Sequence, residues 1–499
     1  PSSARRRGSK APVLTGIRVI DLTGEFGALA ARTLADLGAD VTRVERPEGD
    51  ELRRSPHRHA ALTARSTVVA LAADDPALDD LLRDADVVLG TPGHGVDPGR
   101  APKAVWVNIS PFGLTGPRAT WKAGDLGILA ATGNLFATGD PDRPPVRCAE
   151  PVAFAHVGPE AAFAALTALV AGGPQQVDVS AQEAVMVASM GAAGRYAREH
   201  DRGRRRGANI GRTREIWPCR DGYVSFGLRG GPARVPSLET LSAQVGHPTL
   251  TGRDWSTFNP ATTPDAELAA IEDAVGDWFA ERTMGELYQL ACETNLMLAP
   301  INTPREILAS EQLAARGLLG PLAGVDAVPL RFVHVHDGPR QDGPPPTVPG
   351  RNGPVANAGA WHGTRILELG AGAAGPIATR YFGEHGADVI RIESRTRPDF
   401  LRGYGVGGDQ PDRLERGPLF DALNPDKRSV AIDLKHPEGR ELAIELVRTA
   451  DAVAENFAPR ALRGLGLTYD DLFADKPDLV MLSACLNGQT GPRRDHPGF

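Results

Sequence analysis

The stretch that decides the fold is Leu367–Ser394, which reads LELGAGAAGPIATRYFGEHGADVIRIES. An apolar run, a glycine-rich turn, a helical pattern and a second apolar run follow one another, and the second run ends at Glu393. The turn, Gly370–Gly375, matches G-x-G-x-x-G and begins 23 residues before Glu393. This order predicts a parallel β-α-β unit and is typical of a dinucleotide-binding fingerprint, so NAD is one candidate ligand.

The glycine motif by itself does not decide between ligand binding and packing. Glycines allow a tight turn after a strand and bring helix N–H groups toward a phosphate. A packing explanation needs only a small residue where the helix meets the strand. The corresponding turn near the start of the chain, Thr23–Gly27, is one residue shorter and does not match. A single match in a chain rich in glycine and alanine is weak support for NAD.

The chain contains an internal repeat. Thr15–Arg46 and His362–Ser394 share the order strand, turn, helix ending in Gly-Ala-Asp, strand and acidic residue. Three further pairs follow in the same order: Arg65–Ala72 with Arg428–Lys435, Ala85–Gly90 with Ala450–Glu455, and Gly113–Arg118 with Gly488–Arg493. Four matches in one order indicate a tandem duplication. The second copy lacks a counterpart for much of the first, so we expect the chain to be a piece of a longer protein.

The spacing of apolar runs predicts the architecture. Strands at about 17–22, 40–45, 67–71, 86–89 and 104–109, alternating with helices, predict an α/β fold with a Rossmann-like, doubly wound parallel sheet. Ligands of such sheets bind beyond the carboxyl ends of the strands. Between the copies, capping boxes at Thr283–Glu286 and Thr303–Glu306 support a smaller α+β domain. The predicted segments are a disordered tail (1–14), a first large domain (15–216), the small domain (217–332), a return segment with a Pro/Gly linker (333–361) and the first part of a second large domain (362–499).

Composition narrows the function classes. The 499 residues are 41% hydrophobic and 23% charged, with a net charge of -7 and four cysteines. An acidic chain without a basic stripe argues against nucleic acid as a partner. We expect no membrane partner, because the sequence contains no run of about 18 apolar residues. The cysteines are not spaced as C-x-x-C, so we expect a reduced, cytoplasmic protein without a cysteine-built metal site.

The second copy resembles the class III CoA-transferases, the family of formyl-CoA transferase, carnitine CoA-transferase and α-methylacyl-CoA racemase. The resemblance is carried by NPDKRS-x-x-x-D-L-K and A-D-x-x-x-E-N-F within Leu419–Leu472, together with GADVIRIE and GQTGPR. Gly139–Arg147, Gln175–Ala184 and the small domain are also similar to this family. The resemblance implies a Rossmann-like large domain, a small domain and two interlocked protomers. The two copies would then form an interlocked pseudo-dimer, or the chain a homodimer.

The resemblance also implies the ligand, which is coenzyme A as part of an acyl-CoA substrate, with no tightly bound cofactor. A small carboxylic acid would be the second substrate. Lys435 supplies a cation for a CoA phosphate, and Phe457 a flat apolar surface for adenine. The positions implied for CoA binding in the second copy are Ala373, Ala374, Glu393, Ser394, Arg428, Ile432, Lys435, Asn456, Phe457 and Ala461.

The first copy lacks the chemistry that the resemblance implies. Transferases of this family use an aspartate that attacks the thioester and forms an acyl-enzyme anhydride. The aligned position in the first copy is Phe154, and Glu150 is a poor substitute by position. The aligned position in the second copy falls beyond Phe499. We therefore assign no catalytic residue in this chain and no metal ligand, and we expect the chain alone to show little turnover.

Three other activities remain open. A racemase of this family uses a histidine in a Gly-His-Asp segment. The corresponding residues are Ala123-Gly124-Asp125 in the first copy and begin Gly498-Phe499 in the second, and neither segment offers the histidine. A fused CoA-transferase/lyase also has tandem halves. A non-catalytic CoA-binding or structural paralogue is the third alternative.

Overall fold

The computed structural model of the protein describes residues 13–231, 233–294, 296–335, 359–404, 406 and 412–496. The predicted linker at 336–354, most of the predicted tail and residues 498–499 lie outside the described residues.

The first half is built on a parallel six-stranded sheet with the order β3-β2-β1-β4-β5-β6. Each of the five predicted strands is present within one residue of its predicted ends. The strands are β1 (Arg18–Leu22), β2 (Asp40–Glu45), β3 (Ser66–Ala70), β4 (Val87–Gly90), β5 (Val105–Ser110) and β6 (Gln175–Ser180). The helices are α1 (Ala28–Asp36), α2 (Pro56–Thr63), α3 (Pro76–Arg83), α4 (Asp125–Ala131), α5 (Asn134–Ala137), α6 (Val152–Ala171), α7 (Ala181–Met186) and α8 (Ala192–Glu199).

Helix α6 is long and apolar enough, by length and composition, to cross a membrane, and 44% of its most apolar window is buried. A core helix passes the same test, and α6 is packed as one. Its buried residues belong to the core of the first sheet: Ala153, Val157, Ala161, Ala162, Ala165 and Ala168. Alanine at most of these positions lets the helix approach the sheet closely, so packing in the first half explains its composition.

The middle of the chain forms an α+β unit around the antiparallel sheet β11-β10-β9. Its strands, including two short hairpins, are β7 (Asn209–Ile210), β8 (Thr213–Arg214), β9 (Ile216–Cys219), β10 (Gly222–Phe226), β11 (Leu298–Pro300), β12 (Leu319–Leu322) and β13 (Val325–Pro329). Its helices are α9 (Val235–Val245), α10 (Asp265–Ala280), α11 (Met284–Glu293), α12 (Pro304–Leu308) and α13 (Glu311–Ala315). Both predicted capping boxes are formed, at the starts of α11 and α12.

The second half is built on a parallel five-stranded sheet with the order β16-β15-β14-β17-β18. Its strands are β14 (Arg365–Leu369), β15 (Asp388–Glu393), β16 (Lys427–Ala431), β17 (Ala452–Glu455) and β18 (Val480–Ser483). Its helices are α14 (Ala374–Glu384), α15 (Pro418–Leu423), α16 (Pro437–Arg448), α17 (Pro459–Leu465) and α18 (Tyr469–Phe473). The first five strands of each half therefore have the same spatial order, as a tandem repeat requires.

The two halves pack directly on each other. Phe163 of α6 lies against Tyr381 of α14, with 5.3 Å between ring centroids, and the Tyr381 hydroxyl donates to Glu160 at 2.6 Å. Burial raises the pKa of Glu160, although the hydrogen bond from Tyr381 opposes that rise. Arg198 of α8 forms an ion pair with Asp421 of α15 at 2.5 Å. A half-buried carboxyl group thus lies in the seam between the halves.

Candidate functional site

The carboxyl edge of the second sheet gathers most of the residues predicted to bind CoA. Gly370 follows β14, Ser394 follows β15, Ile432 follows β16 and Asn456 follows β17. Because the carboxyl ends of parallel strands meet at one edge, these four chain segments converge there. The Ile432 N–H also donates to the Glu393 carbonyl at 2.8 Å, which ties two of the segments together.

The glycine loop is held by a side chain from the neighbouring strand end. Asn456 Oδ1 accepts a hydrogen bond from the Ala371 N–H at 3.1 Å, and Asn456 Nδ2 donates to the Ala371 carbonyl at 2.7 Å. A Cβ atom at Gly370 would lie 2.0 Å from Asn456 Oδ1, so the first glycine makes this approach possible. The motif therefore has a packing role in this loop as well as a conformational one.

A second residue holds the loop from the other side. The buried Asp399 carboxylate accepts from the Gly372 N–H at 3.0 Å and from the Leu401 N–H at 2.9 Å, and it pairs with Arg391. Gly372 has φ +80°, a left-handed conformation that favours glycine, and a Cβ atom there would lie 3.1 Å from the Phe400 ring. The loop is thus fixed between β17 and the turn after β15.

Beneath the loop lies a buried ionic network that our sequence reasoning missed. The fully buried Glu368 carboxylate lies 3.2 Å from Arg391 and 2.8 Å from Lys427, and it also accepts from the Thr379 hydroxyl. Lys427 donates to Asn424 Oδ1 at 3.0 Å as well. Burial lowers the pKa of Lys427, although the Glu368 carboxylate opposes that effect. The Asn and Lys of the NPDKRS motif therefore act within the fold, not at the surface.

Glu393, the candidate ribose partner of a dinucleotide site, is already engaged. Arg402 donates to both of its oxygens at 2.8 Å, and the Ser429 hydroxyl donates at 2.7 Å. Burial alone would raise the pKa of Glu393, but the hydrogen bonds and the positive charges of Arg391 and Arg402 bring it below its ordinary value. The carboxylate is a member of the ionic network.

These contacts weaken the NAD hypothesis. Two loop N–H groups, those of Ala371 and Gly372, are already bound to protein acceptors. A pyrophosphate would need such groups free. The N–H groups of the next residues, Ala373, Ala374 and Gly375 at the start of α14, have no acceptor among the described residues, and Ala373 and Ala374 are exposed. The exposed N–H groups without an acceptor therefore lie at the start of α14, not in the first turn of the loop.

A buried carboxylate also supports the Asn456 segment. Glu455 is fully buried, and its carboxylate accepts from the Phe457 N–H at 2.8 Å and from Gln489 Nε2 at 3.2 Å. Burial raises the pKa of Glu455, and the hydrogen bonds from Ser483, Phe457 and Gln489 only partly oppose it. Because Gln489 lies in the GQTGPR motif, Glu455 links that motif to the carboxyl edge.

The remaining predicted contacts differ in placement. Lys435 is exposed, and among the described residues it forms no ion pair, so its ammonium group is available to an anion. Phe457 is half-buried beside the core, and Ala461 is exposed on α17. The Ile432 side chain is 8% exposed and belongs to the core, which leaves only its backbone for a ligand. Arg428 is not brought to the edge, because it pairs with Asp388 at the start of β15.

The first sheet repeats the ionic network. Arg43 pairs with Asp21 at 2.5 Å and with Asp50 at 2.7 Å, and all three side chains are buried. Asp21, Arg43 and Asp50 occupy the places in the first half that Glu368, Arg391 and Asp399 occupy in the second half. One sequence signal could have revealed both networks: the same Asp-x-Leu-Arg pattern follows the second strand of each half, at Asp50–Arg53 and Asp399–Arg402.

The carboxyl edge of the first sheet differs from that of the second. Phe26, in the turn after β1, packs edge to face on Phe154 with 5.0 Å between ring centroids. The position of Gly370 is taken by Thr23, whose hydroxyl donates to Asp21 at 2.6 Å. The position of Asn456 is taken by Thr91, whose side chain cannot form the two hydrogen bonds that Asn456 makes to Ala371. Aromatic packing thus involves Phe154, the position that the sequence resemblance aligned with an aspartate nucleophile.

The other acidic candidates of the first half have simple structural explanations. Glu150 is exposed in the segment before α6. Asp125, in the segment aligned with the racemase histidine, accepts a hydrogen bond from the Ala153 N–H at 2.7 Å and so caps α6. Among the described residues, no group of three or more His, Cys, Asp or Glu side chains could hold a metal ion.

The middle unit reaches across to the second half. Gln312 of α13 donates to the carbonyl oxygens of Asn487 and Thr490 at 2.6 and 2.8 Å, and it accepts from the Arg493 N–H at 2.7 Å. Arg316 donates to the Thr490 hydroxyl at 2.9 Å. The GQTGPR motif is therefore fixed between the second sheet and the middle unit.

Comparison with known proteins identifies the family. The model of CoA-transferase family III matches residues 14–352 and 361–499. The chain therefore belongs to CoA-transferase family III, as the sequence resemblance implied.

Among its relatives, a probable CoA-transferase of Mycobacterium tuberculosis is 31% identical over 540 residues, which cover 94% of this chain and 64% of that protein. The chain thus spans less than two thirds of that relative. The β subunit of a succinyl-CoA–L-malate CoA-transferase of Chloroflexus aurantiacus is 39% identical, over 28% of this chain and 33% of that protein. A CAIB/BAIF family protein of Brucella suis has the same fold, with a TM-score of 0.57 and 24% identity over 66% of this chain and 93% of that one.

Proposed function

We propose that this chain acts in a CoA-transferase that moves CoA between an acyl-CoA and a carboxylic acid, with CoA bound at the carboxyl edge of the second sheet. Membership of CoA-transferase family III is the observation that carries the proposal. The choice of the second sheet is supported by the exposed Lys435 and by the glycine loop, whereas Phe26 and Phe154 pack together at the first edge.

Each proposed contact has a physical basis. The Lys435 ammonium group supplies a charge-assisted hydrogen bond to a CoA phosphate. Phe457 offers a flat apolar surface on which adenine can pack. The free N–H groups of Ala373 and Ala374 lie at the positive end of α14, where negative charge is stabilised. Ser394 adds a hydroxyl at the end of β15. Arg428 contributes only long-range positive charge, since it is paired near the opposite end of the sheet.

The proposed chemistry is acyl transfer through an enzyme carboxylate. An aspartate oxygen attacks the thioester carbonyl, the C–S bond breaks, and CoA leaves as the thiolate while an acyl-aspartyl anhydride forms. Backbone N–H groups near the helix N-terminus stabilise the oxyanion that forms during this attack. The incoming carboxylate then attacks the aspartyl carbonyl of this anhydride and displaces the first acid, which forms a new mixed anhydride. The CoA thiolate attacks the acyl carbonyl of the new anhydride, so that the new acyl-CoA forms and the aspartate carboxylate is freed. We assign the aspartate to no residue of this chain, because the aligned residue in the first half is Phe154.

The relatives suggest which substrates to test first. Two relatives are named for succinyl-CoA as CoA donor, one with L-malate and one with (R)-benzylsuccinate as acceptor. We therefore propose dicarboxylic acyl-CoA donors as the first class, and small carboxylic acids as acceptors. The two halves, joined through α6 and α14, would serve as the two protomers of a pseudo-dimer.

An exchange assay tests the proposal. Succinyl-CoA would be mixed with a panel of carboxylic acids, using this chain and the longest natural polypeptide that contains it, and new acyl-CoA would be followed by mass spectrometry. The proposal expects transfer by the natural polypeptide and its loss in the K435A variant at low CoA concentration. CoA binding without any transfer would support the alternative of a non-catalytic CoA-binding protein. The presence of Phe154 at the position aligned with the aspartate favours that alternative. An olefinic acid as product would indicate a transferase/lyase, and inversion at the α-carbon a racemase.

A further inference from the structure

We propose that Asn456 is a positioning residue that fixes the glycine loop at the CoA site, not merely a contact for CoA. The inference rests on the proposed CoA site. Its basis is the pair of hydrogen bonds between the Asn456 amide and both main-chain polar groups of Ala371. A single side chain thereby binds both main-chain polar groups of the second residue of the G-x-G-x-x-G loop. We call this pair of hydrogen bonds the clamp.

The two bonds have opposite polarity, and this selects the residue type. Oδ1 accepts from the Ala371 N–H, while Nδ2 donates to the Ala371 carbonyl. Only a carboxamide offers a donor and an acceptor side by side. An aspartate in its place would keep the acceptor but would set its second oxygen against the Ala371 carbonyl. A threonine is too short to reach both groups.

The neighbouring glycines fit this arrangement. A Cβ atom at Gly370 would collide with Asn456 Oδ1 at 2.0 Å, and one at Gly375 would lie 3.4 Å from Asn456 Cγ. Gly370 therefore makes room for the asparagine side chain, while the contact at Gly375 is at an ordinary van der Waals distance. The pair of hydrogen bonds depends on glycine at position 370.

The clamp also suits an anionic ligand. Asn456 is neutral, so it holds the loop without placing a negative charge beside the phosphates or the developing oxyanion of an acyl-CoA. Asp399, the second residue that holds the loop, is neutralised by Arg391. The two supports together fix the direction in which the Ala373 and Ala374 N–H groups point. A loop that is already ordered loses little entropy when the ligand binds.

The first sheet provides an internal comparison. At the position of Asn456 it has Thr91, whose buried hydroxyl forms no hydrogen bond among the described residues. At the position of Gly370 it has Thr23, which carries the Cβ atom that would block the clamp. Both partners of the clamp are thus absent from the half whose carboxyl edge holds Phe26 and Phe154.

Amide hydrogen exchange and CoA titration of this chain test the proposal. In the N456T variant, which copies the first half, we expect the Ala371 and Gly372 amides to exchange about tenfold faster, while the Leu367 amide of β14 is unchanged. We expect the Kd for CoA to rise about tenfold, which is the loss of about one net hydrogen bond. N456D, which keeps the side-chain size, should give the same pattern. K435A serves as the matched control, with a higher Kd and unchanged loop exchange.

Two results would overturn the proposal. A higher Kd in N456T with unchanged exchange at Ala371 would make Asn456 a direct CoA contact. Unchanged exchange and unchanged Kd would leave the clamp without a role. If the wild-type chain does not bind CoA, the proposed function fails at this site, and the exchange comparison still shows whether Asn456 holds the loop.

Discussion

Phe26 and Phe154 pack edge to face at the carboxyl edge of the first sheet, with 5.0 Å between their ring centroids. One ring comes from the turn after β1 and the other from α6, which also supplies much of the first core. Aromatic pairs of this geometry contribute packing energy beyond burial. The two halves share a strand order and a buried ionic network, and this pair is a feature in which they differ, at the edge where ligands of such sheets bind.

The first prediction concerns the free lysine of the second half. K435A should weaken CoA binding about tenfold or more, because a charge-assisted hydrogen bond to a phosphate contributes about 1.5–3 kcal/mol. Isothermal titration calorimetry at two salt concentrations would measure the change. K103A removes an exposed lysine of the first half and should leave the affinity unchanged. Equal affinities of wild type and K435A would remove Lys435 from the site.

The second prediction concerns the duplicated ionic network. D399A should lower the free energy of unfolding by about 3–5 kcal/mol, because it leaves the buried Arg391 without one of its partners. D50A should have a similar effect through Arg43, while D142A, at an exposed position, should have almost none. Urea denaturation of the three variants provides the measurement. A loss below about 1 kcal/mol in D399A would contradict the role of this network.

The third prediction concerns pH and the buried Glu455. Because its pKa in the folded protein is raised above the ordinary value of 4.5, its contribution to stability is fully present below that value and is lost as the pH rises. E455Q, which stays neutral, should therefore gain stability relative to wild type as the pH increases from 4.5 to 8. Thermal unfolding across that range tests the trend, and a constant difference would contradict it.

The fourth prediction concerns the seam between the halves. Y381F removes the hydroxyl that donates to Glu160 and leaves that carboxyl group with one partner fewer, which should cost about 1–2 kcal/mol. A double-mutant cycle with E160A, which removes the acceptor, would isolate the coupling between the two side chains. Y223F changes an exposed tyrosine of the middle unit and should be neutral. Additive effects of Y381F and E160A would show that the two side chains do not interact.

Much of the fold could be predicted from the sequence. Buried parallel strands leave continuous apolar runs, and Gly-Ala-Asp marks the same helix end in both halves, so the five strands of the first half were placed within one residue. The internal repeat predicted which strands of the two halves correspond, and the strand orders agree with it. The family was predicted from motifs such as NPDKRS, which are specific even where their structural role is unknown.

The candidate site could be predicted only in part. Strand ends such as Glu393 and Asn456 were placed at the carboxyl edge, because a parallel sheet brings all such ends together. Arg428 was also predicted to bind CoA, but its position at the start of β16 places it beside Asp388 and away from that edge. The loop clamp and the role of Lys427 could not be inferred from sequence, because a motif does not tell whether a polar side chain points to a ligand or into a buried network.

The measurement that tests the central claim most directly is the location and stoichiometry of bound CoA on this chain. Hydrogen exchange with and without CoA, combined with titration calorimetry, gives both. The account predicts one CoA per chain, with protection at residues 370–375, 393–394, 432–435 and 456–461. Protection at the first edge, around residues 23–27 and 91–94, or no protection at either sheet, would contradict it.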